Sequence, residues 1–218
     1  SLVREVSAQI ATIRDLDELA QHVTELILAT FRYYYVALFV WSPAQDALVL
    51  RASASDPSVA KQRAAVPPII RAGVGIVGSV VQAGEEIVAH NVHQEPRYRH
   101  IDSLPDTRAE VALPLRVAER TIGVLDVQSD RAQALHEVDL LVLRALAETV
   151  AIAVDHAQMV EDLQRRADQL SVIAKVNRIS ASELDQDLLF ERVAALIHEQ
   201  LGYPAVRLFG IDRTQDRL

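Results

Sequence analysis

Three histidines, His90, His93 and His100, fall in one stretch together with Glu95 and Asp102. Imidazole and carboxylate make a donor set for a transition metal. Their spacings fit no recognised ligand motif, so a polar surface loop is the plainer expectation. Gly73-Val74-Gly75-Ile76-Val77-Gly78 matches G-x-G-x-x-G, the turn that cradles a dinucleotide pyrophosphate. That chemistry needs a strand before the glycines and a crossover helix leading to a parallel strand. Here Pro67-Pro68 comes before them, and the following helix is expected to stop at Gly84. The glycines read as a turn that allows close backbone packing, with no dinucleotide bound. The N–H groups at the start of that helix still suit an anionic ligand group. No nucleophile stands beside a base: Ser79 and Ser103 lack a neighbouring motif, and His156 lacks a phosphoacceptor context. The chain is not expected to be an enzyme, nor to hold a metal or cofactor. Catalysis by the loop carboxylates and histidines is the minor alternative.

The elements that must position any site are clearest over residues 110–158. Residues 110–117 and 121–129 are apolar and β-rich, joined by a link of about four residues around Ala118-Glu119-Arg120 that suits a hairpin. After Ser129 the period changes from two to 3.6. Val138, Leu141, Leu143, Leu146, Val150, Ala153, Val154 and Ala157 then mark a helical stripe. This run, "VALPLRVAERTIGVLDVQS" followed by "HEVDLLVLRALAETVAIAVDHAQ", resembles the last strands and C-terminal helix of a GAF domain. The upstream "GVGIVGSVVQAGEEIVAHNVHQEPRYRHI" resembles that family's short helix, strand and variable loop, in order. The resemblance covers roughly residues 2–158 and rests on the ordered set of segments. The sequence departs from the family at His90-Asn91, where many members carry an acidic residue, and at Ala109, often a serine. Ligand identity therefore does not carry over.

The resemblance implies an α/β fold. A central antiparallel sheet of about six strands has terminal helices on one face and a loop-side pocket on the other. Strand alternation then sorts the residues. If helices cover Leu125 and Val127, Asp126 points to the pocket side with Val124 and Gln128, and so do Glu110 and Ala112. The same logic favours Phe39 and Trp41 in the first strand. The expected ligand site is Phe39, Trp41, Ile76, Tyr98, Arg108, Glu110 and Asp126. The competing reading is an internal Asp126–Arg108 ion pair in a pocket that binds nothing, since pairing alone is not function.

Other elements follow from local signals. Residues 2–13 carry a heptad-like seam of Val3, Val6, Ile10 and Ile13. Asp15 and Glu18 form a capping box for a helix on Leu16, Leu19, Ala20, Val23, Leu26 and Ile27. Strands are expected over 33–41, 47–54 and 86–89, with an edge strand broken by prolines over 64–70. A short helix spans 76–82, and one helical turn is expected near 98–101.

Apolar residues make up 50% and charged residues 24% of 218, which indicates a globular chain. A net charge of −8 argues against general nucleic-acid binding, which needs clustered cations. There is no cysteine. That excludes disulfides and thiolate chemistry, including the bilin attachment and methionine sulfoxide reduction that some members of the resembled family perform through Cys. It also fits a cytoplasmic protein. No apolar run approaches a membrane span and no signal peptide is expected.

The chain also repeats itself. Tyr33, Val36, Leu38, Phe39, Gln45, Asp46 and Leu48 recur as Tyr203, Val206, Leu208, Phe209, Gln215, Asp216 and Leu218. Such a long period signals a duplicated domain. The expected organisation is a GAF domain over 1–157, a linker helix over 158–182, and the truncated start of a second GAF domain over 183–218. In that last part a helix is expected over 184–201 and a strand over 205–211, which would seek a partner on another chain. In the linker, Val160, Leu163, Ala167, Leu170, Ala174 and Asn177 form an a/d seam with a polar exterior, the pattern of a dimeric coiled coil. The expected function is a regulatory sensor domain of a signal-transduction protein. It would bind a small molecule and relay through a homodimer to a downstream signalling domain. The alternative is a ligand-free domain that serves only as a dimerising spacer.

Overall fold

The computed structural model describes residues 13, 15–56, 68–182, 186–201 and 204–209. The seam expected over residues 2–13 lies outside these, apart from Ile13. Contacts divide the chain into two units, 1–160 and 161–218.

In the first unit, helix α1 (Leu16–Phe31) begins where the sequence says it should. The Asp15 side chain accepts from Glu18 N–H at 2.8 Å, satisfying one of the orphan donors of the first turn. Leu16, Leu19, Ala20, Val23 and Ile27 recur at helical spacing and are all buried. Six strands follow: β1 (Tyr35–Ser42), β2 (Ala47–Ser55), β3 (Ile69–Ile70), β4 (Ile87–Ala89), β5 (Ala109–Val117) and β6 (Arg120–Ser129). They form one sheet in the order β3-β2-β1-β6-β5-β4, with every pairing antiparallel. Of the proline-broken segment, only β3 is strand among the described residues, and it lies at the edge, where missing N–H donors are tolerated. Helix α2 (Gly75–Ala83) bridges β3 and β4 and ends on Gly84 at φ 71°. Helix α3 (Glu137–Ser182) follows β6.

The β5–β6 turn is tighter than the link expected around Ala118-Glu119-Arg120. Val117 pairs with Arg120, so Ala118 and Glu119 alone make the turn, with Ala118 at φ 53°. The helical turn expected near 98–101 is instead a 3-10 turn at Val92–Gln94. The Asn91 side chain accepts from His93 N–H at 3.1 Å and starts the turn there.

The sheet separates two cores. On one face Val36, Leu38, Val40, Val111, Leu113, Leu115, Leu125 and Val127 pack under α1 and α3. The stripe that α3 buries is Leu140, Leu143, Leu146, Ala147, Val150, Ala151, Val154 and Ala157. Val138 and Leu141, expected in that stripe, are 74% and 66% exposed. Stepping by three and four residues from Leu143 and Val150 reaches Leu140, and a helix turned that way carries Val138 and Leu141 off the core. Arg144 ties α3 to the start of β4, with Nε 2.9 Å and Nη2 2.7 Å from the two Glu86 carboxylate oxygens. On the other face Tyr35, Ala37, Phe39, Ala112 and Val124 pack with Ile76, Val77 and Val80 of α2 and with Val92 and Leu104 of the β4–β5 loop.

The second unit holds the distal part of α3 and helix α4 (Gln186–Leu201). Leu163, Leu170 and Ile173 are more than half exposed there. Residues 205–209 carry no strand where one was expected, and Phe209 is exposed. A strand needs a neighbour to complete its backbone hydrogen bonds, and no described residue pairs with this segment.

Candidate functional site

Alternation along β6 sets the site. Leu125 and Val127 point under the helices, so Asp126 and Gln128 point to the opposite face. Glu110 on β5 stands opposite Gln128 and diagonal to Asp126. These three polar side chains are the floor of a cavity of about 410 Å3. Phe39 of β1, Ile70 of β3, Ile76 and Val77 of α2 and Ile101 of the β4–β5 loop make apolar walls. Arg71, Val74, Arg99 and His100 also border the space. A volume in this range suits a small organic ligand.

The floor is buried: Asp126 is 2% exposed and Glu110 5%. Gln128 Nε2 donates to Asp126 Oδ2 at 2.8 Å. The Gln128 amide orientation is held by Thr107, whose Oγ1 lies 2.7 Å from Gln128 Oε1. Asp126 Oδ1 is buried without a hydrogen-bond partner, and the Glu110 carboxyl lies close enough to interact with Asp126. Burial pushes the Asp126 carboxyl up to about 7, against the pull of Gln128 and Glu110. Burial first, then the Asp126 charge, raise the Glu110 carboxyl well above the usual carboxylate range. Two acids this close to each other and this far from water do not both ionise readily. Each carboxyl of the pair therefore holds its proton more tightly than it would in water.

The structure therefore brings four of the seven expected residues to the cavity: Phe39, Ile76, Glu110 and Asp126. Trp41, Tyr98 and Arg108 stand outside its lining. Trp41 and Tyr98 pack against the second core instead. Tyr98 sits near enough to Glu110 for that charge, after burial, to raise its hydroxyl. Arg108 is exposed and turns toward His93, with Nη1 3.0 Å from Nε2. An Asp126–Arg108 ion pair is not formed. Gln128 was missed although it shares the face of Asp126. The residues from loops and turns, Arg71, Val74, Arg99 and His100, had no periodic signal to announce them.

The other two candidates disperse. His100 is 3.7 Å from Asp102, both exposed, and His93 meets Arg108. No group of three metal-ligating side chains gathers among the described residues. The Gly73–Gly78 turn sits between an edge strand and a short helix in an antiparallel sheet, without the parallel crossover a dinucleotide fold requires. Gly78 is there for space: a Cβ would overlap the Arg71 carbonyl oxygen and lie 3.4 Å from Ile70 Cγ2. Gly78→Ala is expected to shift the β3–α2 turn and distort the cavity wall, costing about 1–3 kcal/mol. A melting curve checks the stability, and a crystal structure of the variant checks the wall.

A sheet with two helices on one face and a cavity on the other defines a small α/β domain. The chain belongs to the GAF domain family, whose model matches residues 13–155. GAF domain-containing protein A of Dictyostelium discoideum is 34% identical over 70 residues, which are 32% of this chain and 43% of that protein. The matched stretch thus spans less than half of that relative. Among solved structures, a free methionine-R-sulfoxide reductase of Neisseria meningitidis in complex with its substrate aligns with a TM-score of 0.63 and 22% identity. That alignment covers 73% of this chain and 89% of the reductase. The GAF domain of a phosphoenolpyruvate-protein phosphotransferase from Coxiella burnetii aligns with a TM-score of 0.64 and 18% identity, over 74% of this chain and 95% of its own. At these identities the likeness is one of fold. No helix among the described residues is long and apolar enough to cross a membrane.

Proposed function

We propose that this chain is the regulatory sensor domain of a signal-transduction protein, and that it binds a small molecule over Asp126. One observation carries the reading: an apolar cavity floored by two buried carboxyls. Buried acids with raised proton affinity destabilise a fold, and they gather at sites that do something else. The route for a signal is short. β6 presents Asp126 to the ligand on one face and Leu125 and Val127 to α1 and α3 on the other. A ligand that moves β6 moves the seat of α3, which continues as one helix to Ser182. Catalysis of the kind named for the similar reductases would need a residue other than cysteine, which this chain lacks.

Native mass spectrometry of the domain purified from its own host is expected to show a bound small molecule. A matching compound at a hundredfold over its Kd should add about 2.7 kcal/mol of stability. Absence of any bound mass, with no thermal shift across a metabolite library, would favour the ligand-free spacer.

The relay is expected to act in a parallel homodimer built on α3. Leu163 and Leu170 lie on the seam read from the sequence and are 65% and 66% exposed. Apolar side chains at that spacing are normally covered by a second helix. Light scattering should give a dimeric mass, and Leu163→Asp with Leu170→Asp should halve it. A mass unchanged by the double substitution refutes this interface.

A further inference from the structure

The cavity's chemistry narrows what it takes, and this inference rests on the sensor reading above. The floor offers more acceptors than donors. Asp126 Oδ1 is buried with no conventional hydrogen-bond partner, and Asp126 lines the cavity. Glu110, diagonal to it on the next strand, is buried at the same floor. The only donor fixed on Asp126 is Gln128 Nε2, which occupies Oδ2. A buried carboxylate left short of donors costs free energy that a ligand donor recovers. The walls are apolar, so the rest of that ligand is apolar too.

We propose that the cavity binds a small molecule carrying an ammonium group on an apolar body, and that the ammonium displaces the proton held between Glu110 and Asp126. The exchange balances: the proton leaves to solvent, the positive charge of the ligand replaces it, and no bond in the ligand changes. An ammonium brings three donors to a site that has one proton to share. Charge-assisted hydrogen bonds to two carboxylates are stronger than the single one they replace.

The titratable and charged groups around the pair fit this assignment. On β1, burial first and then the nearby Asp126 charge raise the Tyr35 hydroxyl. From the loop, Glu95 adds negative charge near Glu110, and Tyr98 sits beside it. Glu95 is itself held ionised by Arg97, with Nε 2.6 Å from Oε1. Arg71, Arg99 and His100 also line the cavity, from segments outside the strands that carry the acids. A second cationic group there would be repelled, whereas a carboxylate on the outer end of the ligand would be matched.

Calorimetry on the full chain at pH 7 tests this with phenethylamine, phenylalanine and the neutral 2-phenylethanol. Each is titrated in phosphate and in Tris, whose ionisation enthalpies differ. Binding of phenethylamine or phenylalanine is expected to release up to one proton per ligand, and 2-phenylethanol should bind at least tenfold more weakly. Preference for phenylalanine over phenethylamine assigns the arginine side to a carboxylate, and the reverse order assigns the affinity to the ammonium alone. Glu110→Gln should abolish the proton release and weaken the amine at least tenfold while sparing the alcohol. Asp126→Asn, which keeps an acceptor for Gln128, is the second variant should Glu110→Gln fail to fold. Equal binding of alcohol and amine, or amine binding without proton release, overturns this inference and leaves the sensor reading standing. No binding by any of the three overturns the inference too. Only an empty cavity in protein from its own host, with no shift from any metabolite, removes the sensor reading.

Discussion

Gly123→Ala is expected to lower the melting temperature by on the order of 10 °C. Gly123 sits in β6 with Val40 of β1 on one side and Leu115 of β5 on the other. The β1–β6 ladder is regular up to Gly123, whereas the β5–β6 ladder shifts register beside it, between Leu115 and Arg116. A Cβ built there would overlap the Phe39 carbonyl oxygen and lie 3.1 Å from Leu115 Cδ1. The first of these is backbone in the middle of the sheet and has nowhere to go. Overpacking of this kind costs roughly 3 kcal/mol or more. Gly84→Ala is the control. Gly84 has φ 71°, but its added Cβ would meet only Thr121 Oγ1, at 3.4 Å. The cost there is the left-handed backbone alone, about 1 kcal/mol. Differential scanning calorimetry of the two variants separates the cases. A Gly123→Ala protein that melts no lower than Gly84→Ala would show that the sheet relaxes freely at this point.

The second large effect is a pH dependence with an unusual sign. Acids paired with cations lose stability as pH falls; Glu110 and Asp126 do the opposite. Both carboxyls bind their protons more tightly in the folded chain than in the unfolded one. The folded state therefore holds more protons between the two affinities, and its stability falls as pH rises through that window. For Asp126 the window runs from the ordinary carboxylate range up to about 7. Below it neither state is penalised. Above it the folded state carries a buried charge at about 1.4 kcal/mol for each pH unit of displacement, so a few kcal/mol in all. Asp126→Asn removes the ionisation and keeps the hydrogen bond from Gln128. Urea unfolding at pH 4, 6 and 8 should find the variant close to the parent at pH 4 and more stable by a few kcal/mol at pH 8. Groups remote from the cavity contribute equally to both proteins and cancel in the difference. A variant less stable than the parent at pH 8 would mean that the Asp126 charge is favourable where it stands.

Much of this arrangement was legible because it follows short periods. Leu125 and Val127 flank Asp126, so once helices were assigned to one face the carboxyl had to point to the other. Asp15 and Glu18 marked the start of α1 by their spacing alone. The same alternation places Gln128 on that face, but a neutral amide carries no charge that would mark it as a site residue beside two acids. Where the period fails, so did the reading. Arg71, Arg99 and His100 are brought to the cavity by turns whose paths depend on Gly73, Gly78 and the loop after Asn91. Val138 and Leu141 looked like core because they are apolar, but only the register of α3 against the sheet decides which stripe is covered. Residues 205–209 repeat the sequence of β1 without being a strand. A strand is defined by its neighbours, and sequence similarity supplies none.

The strand order has a temporal consequence. β1 lies at the centre of the sheet between β2 and β6, and β6 is the last strand to be synthesised. A nascent chain that has made α1, β1 and β2 can close that hairpin at once, but the other edge of β1 stays open until β6 has left the ribosome. Pairings between such distant segments are slow to form, and open edges invite pairing with other chains in the interval. β6 also completes the cavity floor, so the carboxyls of Glu110 and Asp126 meet at the same step that closes the sheet. The floor of the proposed site and the closed sheet thus become available together, so any ligand of the cavity would act on the final stage of folding.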